Sequence, residues 1–92
     1  MADVVLQERD TVRELRNRLR RVEGQARGLV RMIDEGRSCS EVAVQMAALK
    51  AAVNRAAMAF VAGYLEQCLA EAKEDEAGEA LTRVAQMFMR LA

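Results

Sequence analysis

The stretch that decides the fold is residues 39–72, CSEVAVQMAALKAAVNRAAMAFVAGYLEQCLAEA. It contains no proline and only one glycine, Gly63, and it is dominated by Ala, Leu, Met, Gln and Glu, all strong helix formers. One helix from about residue 39 to about residue 73 is therefore predicted, roughly three times the usual length of 11–12 residues. Small residues on several of its faces suit a helix enclosed by close neighbours rather than one lying on a surface. Ser38 with Glu41 forms a capping box at its start. The acidic run from Glu71 to Gly78 ends it, with Asp75 a candidate cap for a further helix.

Upstream of this helix, Val12, Leu15, Leu19, Val22, Ala26, Leu29 and Ile33 recur at alternating spacings of 3 and 4, which predicts a helix over about 11–35. Thr11 and Glu14 fit a capping box at its start, and Gly36 suits the left-handed position that closes it. Downstream, Leu81, Val84, Phe88 and Leu91 predict a third helix over about 76–91. Residues 1–10 carry no cap and read as a flexible arm. The expectation is a single all-α domain over 1–92, a three-helix protomer with one long central helix.

A chain of 92 residues buries only about 60–65% of its unfolded surface, so it is marginal alone and oligomerisation is expected. There is no His, which excludes a His-based acid–base pair, a Ser-His-Asp triad and any His-containing metal site within the chain. With 3% aromatic residues there is no stacking platform for single strands. No cofactor motif or cleft-forming pattern is present, so the chain reads as no enzyme and as carrying no cofactor. No apolar run approaches the roughly 18–20 residues of a membrane span, and no signal-peptide pattern opens the chain. A cytoplasmic protein without a membrane partner is expected.

Zero net charge hides an asymmetry. Between Arg13 and Arg31 seven arginines stand against Glu14 and Glu23, whereas between Glu66 and Glu79 six acids stand against Lys73. At about 100° per residue Arg16, Arg20 and Arg27 share one strip, with Arg13 and Arg31 flanking it and Arg18 farther round. Such rows suit phosphates, and double-stranded DNA is the natural target, read through backbone and shape, since no helix-turn-helix, zinc-finger or zipper pattern occurs. The same charges also fit two solvated helix faces.

Cys39 and Cys68 lie 29 residues apart on one predicted helix, roughly 43 Å along its axis. They cannot meet within a chain. Two copies packed antiparallel, crossing midway between Val53 and Asn54, bring Cys39 of one chain to Cys68 of the other, twice per dimer. Cys39 stands at the first helical position beside Arg37, where a helix N-terminus and a guanidinium favour thiolate. Cys68 has Glu66 and Glu71 nearby, so the pair is asymmetric, with Cys39 as attacker and Cys68 as resolver. The alternative, two buried cysteines acting as small hydrophobes, stays open at this point.

The run Arg18-Leu-Arg-Arg-Val-Glu-Gly-Gln-Ala-Arg-Gly28, then Met32-Ile33, Cys39, Arg55 and Cys68, resembles the CsoR-type bacterial repressor family, which includes copper(I), nickel/cobalt, formaldehyde and persulfide sensors. The resemblance covers about Val12 to Leu91. It implies an antiparallel dimer assembled into a dimer-of-dimers tetramer, operator binding in the reduced, ligand-free state with Arg18 and Arg55 at the family's DNA-binding positions, and Cys39 and Cys68 as sensing thiols in trans. Copper-sensing members place a His four residues before the second Cys, and here that position is Tyr64. Tyr64 then serves as an outer-shell donor or as packing. A Cys–Cys pair without His is similar to the persulfide-sensing branch, in which reactive sulfur species are the inducer and the thiols close a di-, tri- or tetrasulfide. Cu(I) held by the two thiolates, and a helical assembly protein that binds no DNA, are the alternative readings.

Overall fold

The computed structural model describes residues 4–92 and consists of α1 (Asp10–Asp34), α2 (Cys39–Glu71), a single 3-10 turn (Glu74–Glu76) and α3 (Ala77–Leu91). α1 and α2 form an antiparallel hairpin, and α3 folds back on the C-terminal half of α2.

The hairpin turns at Gly36, whose φ of 71° lies in the left-handed region. Gly36 donates to Ile33 O and Arg37 to Met32 O, closing the last turn of α1. Ser38 then caps α2, its Oγ accepting from the Glu41 N–H at 3.2 Å. The Glu41 carboxylate completes no box with the Ser38 amide and instead accepts from Ser38 Oγ and from Arg37.

α2 buries two adjacent faces. Ala52, Ala56 and Gly63 lie toward α1 and Val12 and Leu29 are buried across from them, while Tyr64 and Cys68 join Ala80 and Val84 of α3 in the main apolar cluster. Small side chains on the first face let the helices come close. A Cβ built on Gly63 would sit 3.5 Å from Thr11 Oγ1. The helix passes through Gly63 without a break.

Besides the Ser38–Glu41 box, three expectations are corrected. Thr11 does not cap α1: the helix begins one residue earlier behind Arg9, and the Thr11 hydroxyl is buried without a hydrogen-bond partner among the described residues. Asp75 does not cap α3, because a 3-10 turn precedes it and Glu76 Oε2 accepts from the Lys73 N–H at 3.3 Å. Residues 4–9, expected as a loose arm, are tied to α2: the Gln7 N–H donates to Gln67 Oε1 at 2.8 Å, and Gln67 Nε2 donates to Val5 O at 2.6 Å. Residues 1–3 of that arm lie outside the described residues.

Candidate functional site

Cys39 is the first residue of α2 and is exposed, whereas Cys68, near the other end, is 5% exposed. Across 29 residues of unbroken helix the axial separation is about 43 Å and the angular separation only about 20°, so both thiols lie on one face of α2. The cationic neighbour expected for Cys39 is committed elsewhere. Arg37 Nε donates to Glu41 Oε2 at 2.6 Å, a second guanidinium nitrogen contacts the same carboxylate, and Glu35 lies 3.9 Å away.

Cys68 sits in a built pocket. Tyr64, Ala80 and Val84 surround it, and a cavity of about 160 Å³ opens beside it, lined also by Val4, Glu71, Ala72, Glu76, Glu79 and Arg83. Tyr64 is 5% exposed and stacks against Phe60, with ring centroids 6.1 Å apart. It is packed into the same cluster as the thiol, one helical turn before it.

The arginines separate into two groups on roughly opposite sides of α1. Arg18 meets Arg55 of α2, and the two, with Arg21, Gln25 and Ala52, line a cleft of about 90 Å³ that contains no carboxylate. Glu14 stands at its edge, 2.9 Å from Arg18 Nε. Arg16, Arg20 and Arg27 lie away from this cleft. Arg16 is held by Glu8 at 2.8 Å, an interaction that raises the Arg16 pKa and lowers that of Glu8. Among the described residues no ion pair involves Arg20, Arg21, Arg27 or Arg55.

Sequence reasoning missed Arg21, Gln67 and Arg83. Arg21 follows Arg18 by three, the spacing that keeps two residues on one helix face. Arg83 falls on the Ala80, Val84, Met87 face of α3. Gln67 continues the Ala52, Ala56, Gly63 line as its one long polar side chain, and that break in an otherwise small apolar stripe was the available signal.

The model of the family described as metal-sensitive transcriptional repressor matches residues 11–90. The chain belongs to this CsoR-type family. It is 31% identical over 78 residues to the copper-sensing transcriptional repressor CsoR of Bacillus subtilis, covering 84% of this chain and 77% of that one. It is 42% identical over 55 residues to the copper-sensing repressor RicR of Mycobacterium tuberculosis, covering 60% and 57%. Two solved structures share the fold. The nickel-responsive regulator InrS superposes with a TM-score of 0.76 at 29% identity, over 96% of this chain and 100% of that one. The copper-sensing repressor CsoR with Cu(I) from Geobacillus thermodenitrificans gives 0.75 at 26%, over 95% and 92%.

The family's metals set a test for the donor atoms. No group of three His, Cys, Asp or Glu among the described residues is placed to hold a metal ion, and the chain has no imidazole to offer. Tyr64, a phenol, is a poor ligand for a soft ion. One chain of this CsoR-type protein does not fit a thiolate–imidazole metal centre.

Proposed function

We propose that this repressor binds operator DNA in the cytoplasm and senses reactive sulfur species through Cys39 of one chain and Cys68 of another. The observation that carries the reading is the placement of the only two thiols on one face, at opposite ends, of an unbroken 33-residue helix in a chain without histidine. An antiparallel pair of such helices aligns each Cys39 with a Cys68 across a two-fold axis.

The exposed Cys39 meets the inducer first. Its thiolate attacks the outer sulfur of a persulfide RSSH, forming Cys39–S–SH and releasing RS⁻. The Cys68 thiolate of the other chain then attacks the Cys39 sulfur, forming the disulfide and releasing HS⁻. Two thiols and RSSH thus give one disulfide, RSH and H₂S, and each further sulfane sulfur inserted first lengthens the bridge by one atom. The bridge pins two α2 helices in one packing and biases a two-state oligomer away from its DNA-bound arrangement. Phosphate contacts fall to Arg18, Arg55 and, on the geometry of the carboxylate-free cleft, Arg21, with Arg16, Arg20 and Arg27 as a second basic strip.

Cu(I) bound by the same two thiolates is the second reading, favoured by the copper-sensing relatives and chemically open because Cu(I) accepts two soft ligands. Intact mass spectrometry after polysulfide treatment, with a DNA-binding assay on the same sample, separates the two. Sulfur-bridged dimers that no longer bind duplex are expected. Tight Cu(I) binding that releases DNA, with no interchain sulfur bridge after polysulfide, overturns the sulfur reading.

A further inference from the structure

Gln67 is 1% exposed, the most buried polar side chain among the described residues, and its amide is committed mainly to a segment some sixty positions earlier. Oε1 accepts from the Gln7 N–H at 2.8 Å, and Nε2 donates to Val5 O at 2.6 Å and to Glu71 Oε1 at 3.3 Å. Two flanking ion pairs, Arg9 with Glu66 at 3.4 Å and Glu8 with Arg16 at 2.8 Å, hold the same segment along the helices. At its start Val4 packs on the cluster that contains Cys68 and forms a wall of the cavity beside that thiol. Gln67 anchors the segment, and the next residue along α2 is the one the segment covers.

We propose that residues 4–9 are a strap, latched on Gln67, that controls access to the Cys68 thiol. Cys68 is closed in by α2 and α3, which are helices with shared apolar packing, and by the strap, which has no secondary structure of its own. The strap is held by a few neutral hydrogen bonds and exposed ion pairs, each a modest contribution, so it opens locally while the helices stay folded. Closed, it leaves Cys39 as the thiol that solution reagents reach. Open, it presents Cys68 to a second sulfur. Gln67 is thus a positioning residue for whichever chemistry the two cysteines perform, and the device stands apart from the identity of the inducer.

The test is the rate at which iodoacetamide alkylates each cysteine of the full chain at fixed pH, read by peptide mass spectrometry. Gln67→Leu removes the latch from the helix side. Gln7→Pro removes the N–H that Oε1 accepts from and leaves α2 untouched. In Gln7→Pro, Cys68 should react roughly fivefold faster, the change that loss of one neutral hydrogen bond gives, with Cys39 unchanged. The double variant should be no faster than the faster single one, since both open one latch. Hydrogen exchange of the α3 amides should stay at the wild-type rate. Cys68 rates equal to wild type in both variants, or α3 exchange accelerating in step with Cys68 alkylation, overturn the proposal.

Discussion

Gly36 and Ser38 make the corner that joins the two long helices. Gly36 adopts φ 71°, a conformation in which a Cβ crowds the following carbonyl, although the space around it is open. Gly36→Ala should therefore lower stability by about 1–2 kcal/mol through backbone strain alone, measured as a shift of the denaturation midpoint without loss of helical signal. Ser38→Ala leaves the Glu41 N–H without its acceptor and should cost about 1 kcal/mol. The same corner is sensitive to acid. Hydrogen bonds from Arg37 and then Ser38 hold the Glu41 carboxyl below the usual glutamate range. A depressed folded-state pKa stabilises above the unfolded value and is lost as pH falls through the folded one. The start of α2 should consequently loosen as pH drops through the acidic range below the ordinary glutamate value, and Glu41→Gln should flatten that part of a thermal-midpoint-versus-pH curve.

At the scale of elements, α2 depends on what lies beside its glycine. A Cβ at Gly63 would meet Thr11 Oγ1 at 3.5 Å and Thr11 Cβ at 3.6 Å, ordinary contact distances, so Gly63→Ala gains helix propensity without a clash. It should stabilise the chain by up to about 1 kcal/mol, whereas Gly63→Val, with branches projecting into the same contact, should destabilise it; chemical denaturation reads both signs. This pair of outcomes also separates what the sequence reveals from what it hides. The three helices were legible because apolar periodicity and the absence of proline act within one segment. The Thr11 and Asp75 caps are less legible because a cap signal is short, one acid at Asp75 or the Thr11–Glu14 pair, and neither shows what else competes for those residues. Thr11 is drawn against Gly63, and a 3-10 turn intervenes before α3. The candidate site divides the same way. The spacing of Cys39 and Cys68 and the density of arginine are local facts. The meeting of Arg18 and Arg21 with Arg55 depends on the register of α1 against α2, and the role of Gln67 depends on where residues 4–9 cross the helix.

At the scale of the whole molecule, the proposed oligomer accounts for the elongated shape of the chain and for the apolar surface it leaves exposed. Its radius of gyration is 17.2 Å, against about 12 Å for a compact domain of this length, and its extents are 58 × 24 × 18 Å. Ile33 is 60% exposed, Val44 66% and Met89 75%, apolar surface a solitary small domain cannot leave in water without cost. Stability should thus rise with protein concentration, seen as a thermal midpoint that climbs on going from dilute to concentrated samples. The antiparallel pairing proposed above makes a sharper demand. If Cys39 bonds only to Cys68 of another chain, Cys39→Ser and Cys68→Ser proteins should each give no covalent dimer after polysulfide treatment, since each lacks one half of both sites. Co-refolded together they should regain one, because a mixed pair holds one intact site and one empty one. Cysteines that met like with like would instead cross-link within a single variant, and cysteines that met within one chain would cross-link in neither variant nor in the mixture. The wild-type protein, with both sites intact, should retain its bridges at higher doses of reductant than the mixture, because rupture of one leaves the second holding the same two helices in register and keeps the broken pair at high effective concentration.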